Sequence, residues 1–201
     1  MAFSEFVLAS GSPRRRRLLS QLGLSFRVHP SLVEERVPDS MSDPADIVEY
    51  LAQLKAEDIA QHYPDAMVFG ADTIVVLDGE ILGKPDTVED AHQTLRRLAG
   101  RSHDVFTGLA LVCSGETTTS HERTRVVFAA LSVQEIEDYV ATGSPMDKAG
   151  SYGIQDDRGA LLVEGIEGDF YNVVGLPLRK LYTEFTARFG RDAWAQIQIG
   201  V

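Results

Sequence analysis

The chain has 201 residues and a mass of 22.1 kDa, and its 44% hydrophobic content suffices for one large domain or two lobes sharing a cleft. A formal charge of −11 and a pI of about 4.8 set a global field that repels nucleic acid and anionic membranes, so an anionic ligand requires a local basic pocket. Cys113 is the only cysteine, which excludes an intrachain disulfide and a cysteine-based metal cluster. No apolar run approaches membrane-spanning length and no signal-peptide pattern opens the chain, so the expectation is a soluble cytoplasmic protein with no nucleic-acid or membrane partner.

Phe6 to Ala9 read as a short buried strand, Ser10 to Ser12 as a turn, and Ser12-Pro13 as the N-cap and first position of a helix that runs through Leu18, Leu19 and Leu22 to Gly23. Arg14 and Arg15 stand in its first turn, where the helix dipole already carries positive charge. That placement is unfavourable unless an anion offsets it, and phosphate fits backbone N–H groups, serine hydroxyls and guanidinium forks together. A polar connection, Pro30 to Asp43, follows. A second helix is predicted from about Asp43-Pro44, with Ile47, Leu51, Leu54 and Ile59 near one face. Met67 to Leu77 reads as a buried strand, turned at Asp78-Gly79 into a partner at Glu80 to Leu82.

Gly83-Lys84-Pro85 leads to a helix from about Val88 to Leu98, stopped by Gly100. Ser102 to Cys113 and Thr117 to Leu131 read as two long strands joined around Ser114-Gly115, and Ser132 with Glu135 is a capping box for a helix ending near Gly143. Residues 144 to 159, rich in Gly, Asp and Ser, read as a loop suited to site residues. A strand at Ala160 to Glu164 and a helix opening near Pro177 complete the pattern; the segment from Gly190 has no evident partner. There is no internal repeat. The pattern predicts a mixed α/β fold, with residues 1–190 as a single domain and 191–201 as a tail.

Asp72 interrupts an apolar strand, where an unsatisfied carboxylate costs several kcal/mol. Glu35 is a second acidic candidate, with Glu34 beside it as an alternative. Carboxylates together with phosphate oxygens suit Mg²⁺ or Mn²⁺, whereas the scattered histidines, His29, His62, His92, His103 and His121, show no ligand spacing and suit surface or structural roles. Lys55, Lys84 and Lys148 are individually weak signals, because most lysines in such places reach solvent.

Taken in order, Leu8-Ala9-Ser10-Gly11-Ser12-Pro13-Arg14-Arg15, Leu54-Lys55-Ala56, Gly70-Ala71-Asp72-Thr73, Lys84-Pro85, Gly100-Arg101-Ser102-His103, Thr107-Gly108, residues 147 to 155 and Asn172 to Pro177 resemble the Maf family of nucleoside triphosphate pyrophosphatases. The resemblance runs from about residue 6 to 185. It implies a two-lobed mixed-sheet α/β fold with a central cleft, shared with the inosine triphosphatase-like enzymes, a homodimer, a divalent metal, and hydrolysis of a nucleoside triphosphate to the monophosphate and pyrophosphate. It makes Asp72 the proton acceptor, places Glu35 with Asp72 in the metal-binding part of the site, and counts Glu35 and Lys84 with Asp72 among the catalytic groups. Ser10, Arg14, Arg15, Lys55, Lys84 and Lys148 become triphosphate contacts.

The resemblance also makes Arg14, Thr73 and Gln155 the positions that set base choice. A glutamine carboxamide offers one acceptor and one donor, complementary to N3–H and O4 of uracil or thymine. The branch resembling 7-methyl-GTP pyrophosphatases carries an aromatic residue, a glutamine and a glutamate at those positions, so dTTP and UTP, with modified pyrimidine triphosphates, are the expected substrates. Ser144 stands where an acidic residue is common in the family and Asp156 where glycine is common. Beside the dTTP/UTP reading stand a 7-methyl-GTP pyrophosphatase and a nucleotide-binding regulator of septum formation without essential catalysis.

Overall fold

A computed structural model describes residues 3–156 and 158–198. Its seven-stranded mixed sheet has the order β2 (Arg27–Val28), β1 (Phe6–Leu8), β3 (Met67–Leu77), β5 (Ser102–Cys113), β6 (Glu116–Phe128), β7 (Val163–Glu167), with β4 (Glu80–Leu82) paired to β3, so the mixed α/β class predicted from the element pattern holds. The chain divides into two compact units, and the division falls inside the three long strands β3 (Met67–Leu77), β5 (Ser102–Cys113) and β6 (Glu116–Phe128).

The first unit takes the chain up to Asp72, Thr107–Glu122 and everything from Gly175. Strand β1 (Phe6–Leu8) pairs in parallel with β2 (Arg27–Val28) and with β3, in the registers Val7↔Arg27 and Val7↔Val68. Alternation along β1 separates two packing layers. Val7 and Ala9 join Val68, Ala110 and Val112 against Ala52, Ala56 and Ile59 of α2 (Pro44–Ala60), while the Phe6 ring meets Phe185 edge-on at 6.2 Å on α6 (Leu178–Phe189).

Helix α2 starts where the sequence places it, with the Asp43 carboxylate accepting from Ala45 N–H at 2.8 Å. Its contact face differs from the expectation. Val48, Ala52 and Ala56 are fully buried with Ile47, Leu51 and Ile59, whereas Leu54 is only half-buried. The reason is close approach of backbones: a Cβ on Gly70 would lie 2.2 Å from the Ala52 carbonyl oxygen, and one on Gly108 2.0 Å from that of Val48. Glycines on the strands and alanines on the helix let α2 lie directly on β3 and β5.

Helix α1 (Pro13–Gln21) has Ser12 as N-cap and Pro13 in its first turn, as predicted. Strand β2 and helix α7 (Arg191–Ile197) go beyond the sequence reading. The segment from Gly190 does have partners: Trp194 packs edge-on against Phe185 and Tyr182, Ser25 N–H donates to the Ile197 carbonyl at 2.6 Å, and Leu24 bridges Gln198. Residues 199–201 of the expected tail lie outside the described residues.

The second unit takes Thr73–Phe106 and Arg123–Val174. The β3–β4 hairpin, with β4 at Glu80–Leu82, turns through Asp78 and Gly79 at φ 53° and 83°, the paired left-handed residues of a tight hairpin. Helix α3 (Val88–Leu98) has the bounds predicted, and α4 (Val133–Val140) carries the Ser132/Glu135 capping box. Strand β6 ends at Phe128 rather than Leu131. Strand β7 (Val163–Glu167) begins three residues later than predicted, because Gly159–Leu162 winds into a 3₁₀ turn. Further 3₁₀ turns at Ser144–Asp147 and Ala149–Ser151, and the short helix α5 (Phe170–Val174), complete the unit.

Candidate active site

In the first unit, the end of β1 delivers the chain into the Ser10-Gly11-Ser12 turn. Ser12 Oγ accepts from Arg15 N–H at 3.4 Å and so starts α1. Ser10 is buried, and its Oγ accepts both from Ser12 N–H at 3.3 Å and from Arg15 Nη1 at 3.1 Å. Arg15 Nε donates to the Gly175 carbonyl at 2.9 Å. The guanidinium is therefore held from two sides at only 9% exposure. Burial pulls its proton affinity below the ordinary arginine value and the neighbouring Arg14 adds to that, while the fields of Asp72 and Glu35 oppose it. A buried, oriented guanidinium at the N-terminus of a helix is a site for an anion.

Close packing of α2 on β3 through Gly70 brings Lys55 to Asp72. Lys55 Nζ lies 2.6 Å from Asp72 Oδ1 and 2.8 Å from Glu35 Oε2. Asp72 is 8% exposed. Its place inside a buried strand is thus reconciled with its charge by an ion pair, as the cost of an isolated carboxylate requires. The Glu35 side chain is 51% exposed, on the connection that follows β2. Of the two adjacent acids, Glu35 is the one that meets Lys55.

That carboxylate pair is the place to test for the divalent cation the resemblance implies. Among the described residues there is no group of three or more His, Cys, Asp or Glu side chains able to hold a metal. Two carboxylates are nevertheless the donor set for an ion such as Mg²⁺, which takes one or two protein carboxylates and completes its shell with water and substrate phosphates. Both acids bring hard carboxylate oxygens to the place where Lys55 meets them. The residues fit the group.

Arg14, in the first turn of α1, is half-buried; the other predicted residues belong to the second unit. Thr73 follows Asp72 directly on β3 and is half-buried. Lys84 is exposed, after Gly83, whose carbonyl accepts from Gly150 N–H at 3.1 Å. Lys148 is 8% exposed, and its ammonium faces four oxygens of its own segment: the Ser144 carbonyl and Asp147 Oδ1 at 2.6 Å, Ser144 Oγ and Asp156 Oδ2 at 3.2 Å. Gln155 is half-buried and its Nε2 donates to Asp156 Oδ1 at 3.1 Å.

The loop carrying these residues has a demanding backbone. Gly150 has φ 69° and a Cβ there would meet Val75 at 2.9 Å; Ser151 follows at φ 60°. Tyr152 anchors it, its hydroxyl 2.8 Å from His103 Nε2 and its ring packed on Phe128 at 4.7 Å. Burial pushes the Tyr152 phenol up and pulls His103 down to about 4. His103 therefore has the structural role expected of it. Tyr139 and Asp156 are the partners that sequence reasoning missed; the only signal was Asp156 standing in an unusual position beside Gln155.

A buried arginine and a serine at a helix start, and a lysine bridging two carboxylates beside a sheet strand, are groups chemically able to meet phosphate oxygens. Residues 5–188 match the model of the Maf-like proteins, and the chain belongs to that family. It is 52% identical to a dTTP/UTP pyrophosphatase of Moorella thermoacetica over 96% of this chain and the whole of that protein. It is also 52% identical to one of Symbiobacterium thermophilum, over 92% of this chain and 94% of the relative, and 51% identical to one of Dictyoglomus turgidum, over 92% and 96%.

Proposed function

We propose that this chain is a nucleoside triphosphate pyrophosphatase that hydrolyses dTTP and UTP to the monophosphate and pyrophosphate. The observation that carries the reading is the Lys55 ammonium shared between Asp72 and Glu35 in the unit that also holds Ser10 and Arg15. It combines with about 50% identity to dTTP/UTP pyrophosphatases over nearly the whole chain.

These contacts support the following roles on the protein side. Asp72 offers Oδ2 as the proton acceptor for the attacking water, while Lys55 on Oδ1 fixes the carboxylate plane. Arg15 and the N–H groups at the start of α1 bind phosphate oxygens, whose charge grows as the α-phosphorus is attacked. Lys84 adds an exposed cation for the departing pyrophosphate. Lys148 serves the triphosphate only by exchanging one of its present oxygen partners for a phosphate oxygen. Gln155 reads the base edge, with Arg14 and Thr73. Glu35 and Asp72 would hold Mg²⁺ or Mn²⁺, which when bound neutralises phosphate charge and lowers the barrier to attack.

The same reading extends to modified pyrimidine triphosphates as further substrates and to a homodimer acting in the cytoplasm. These extensions rest on the family resemblance; no helix among the described residues is long and apolar enough to cross a membrane. Pyrophosphate release from dTTP, UTP, CTP and 7-methyl-GTP, measured on the purified chain with Mg²⁺ or Mn²⁺, tests the assignment. Turnover of dTTP and UTP well above the other two is expected. Preference for 7-methyl-GTP, or binding without turnover, overturns it. Sedimentation of the same sample tests the dimer.

A further inference from the structure

The Gln155 carboxamide can face a base in two ways that differ by a half-turn. With Oε1 toward N3 and Nε2 toward position 4, it complements uracil and thymine, which present N3–H and O4; turned over, it complements cytosine, which presents N3 and an amino group. A glutamine alone does not choose between them. In this chain the next residue faces that amide.

Asp156 Oδ1 accepts from Gln155 Nε2 at 3.1 Å. A carboxylate has only lone pairs to offer, so the amide must turn its nitrogen, never its oxygen, to this neighbour. Asp156 is itself held. Its Oδ2 accepts from Ser144 Oγ and from the Tyr139 hydroxyl at 3.4 Å, and lies 3.2 Å from Lys148 Nζ. Tyr139 is fixed in turn, its hydroxyl accepting from Gly153 N–H at 3.0 Å. There is no room for a side chain beneath this arrangement, since a Cβ on Gly153 would lie 2.6 Å from Asp156 Oδ2 and 2.7 Å from the Lys148 Cε. Three donors pin one carboxylate oxygen, and the other is aimed at Gln155.

We infer that Asp156 is a specificity-positioning residue, which locks the Gln155 carboxamide in the orientation that accepts uracil and thymine and refuses cytosine. The inference rests on the reading that Gln155 meets the base. It adds a named cause for discrimination between UTP and CTP, two substrates with the same triphosphate and the same sugar. Lys148 then has a second duty, holding the carboxylate that holds the glutamine.

The test compares kcat/KM for UTP and for CTP in three variants. Asp156→Asn keeps the shape but supplies a donor as well as an acceptor, so the amide is released to turn. The ratio of UTP to CTP is expected to fall by about tenfold or more, with CTP activity rising in absolute terms, because an opposed polar pair at the base edge is relieved for cytosine and created for uracil. Ser144→Asp combined with Asp156→Asn restores a carboxylate near Lys148 without restoring the contact to Gln155. It should recover the melting temperature but not the ratio. Gln155→Ala is the reference and should erase most of the preference. If Gln155→Ala keeps the ratio, Gln155 does not read the base and both readings fall. If Gln155→Ala loses it while Asp156→Asn keeps it, or lowers both substrates equally, the role of Asp156 alone is overturned. Failure of both Asp156 variants to fold would make it a residue of the scaffold and also overturn the inference.

Discussion

The two groups of predicted site residues are held by different means. Asp72 and Lys55 stand on a strand and a helix whose distance is set by backbone packing, with Gly70 and Gly108 admitting α2 to van der Waals contact with β3 and β5, and Arg15 on α1 is held by Ser10 Oγ and the Gly175 carbonyl. Lys148 and Gln155 stand on a segment of 3₁₀ turns with left-handed residues at Gly143, Gly150 and Ser151, held by a network of charged and hydroxyl side chains. On the proposed function, the first group meets the reacting phosphorus and profits from rigid elements, whereas the second, which includes the proposed base reader Gln155, can sit on a loop whose polar contacts are exchangeable. The first arrangement resists substitution; the second can be retuned by one side chain.

The sharpest way to break this comparison is at Asp72. Asp72→Asn removes the proposed proton acceptor while preserving shape, and turnover of dTTP should fall by about 10²–10⁴-fold, the range usual for loss of a general base. Binding of dTTP and the melting temperature should change little by comparison. Near-wild-type turnover would remove Asp72 from the chemistry and leave its ion pair with Lys55 as structure alone.

The packing side of the contrast is tested at Gly70. A methyl group there meets the Ala52 carbonyl at 2.2 Å, and neither backbone can give way without moving α2. Gly70→Ala should cost about 1–3 kcal/mol in urea unfolding, as overpacking does, and should lower turnover as well because Lys55 travels with the helix. A stability loss with unchanged activity would show that the Asp72–Lys55 pair does not depend on this contact for its proposed role.

Much of this architecture is legible in the sequence, and the failures have physical causes. The hairpin at Asp78-Gly79 and the helices capped by Asp43 and Ser132 follow from local chemistry, since a two-residue turn and an N-cap are decided within four residues. Helix α7 is not legible locally because its support comes from Trp194 packing on Phe185 of the preceding helix and from Ile197 meeting Ser25 near the other end of the chain, tertiary contacts that carry no local signal. The face of α2 was misjudged at Leu54 because hydrophobicity favoured leucine, while the glycines opposite favoured alanine. In the site, Asp72 announced itself as a charge in an apolar strand. Lys55 did not, since nothing local separates a lysine that bridges two carboxylates from one that reaches solvent. Asp156 was legible only as a departure, and its meaning came from the side chains around it.

His103 tests the anchor beneath the loop through pH. Its folded value, pulled to about 4 by burial, lies below the ordinary 6.5, so the unfolded chain binds the proton first as pH falls. Stability from this group is complete above about pH 7 and declines as pH drops from 6.5 through 4, with a slope approaching about 1.4 kcal/mol per pH unit. Melting temperatures recorded between about pH 7 and 4 should show that decline, and His103→Gln, which keeps a polar partner for the Tyr152 hydroxyl, should flatten it. An unchanged pH profile in the variant would assign the acid sensitivity to other groups.

The smallest expected effect is at Gly150, and it sharpens the comparison most. Gly150→Ala places a methyl group at φ 69° and 2.9 Å from a Val75 methyl, so the substitution meets both a left-handed backbone and a side chain. A left-handed alanine costs about 1–2 kcal/mol, and Val75 can shift by a few tenths of an ångström because it is a side chain rather than a carbonyl. The variant should therefore unfold at slightly lower urea concentration than wild type, with a smaller loss than Gly70→Ala. Its functional signature should also differ. Gly150 N–H is tied to the Gly83 carbonyl just before Lys84, so a displaced loop disturbs how substrate is held, while Asp72 and Lys55 keep their own supports. The expected result is a raised KM for dTTP with kcat nearly unchanged, the reverse of the Asp72→Asn pattern. Should kcat fall as far as in Gly70→Ala, the loop would share the rigid role of α2 and β3, and the distinction between the two groups would not survive.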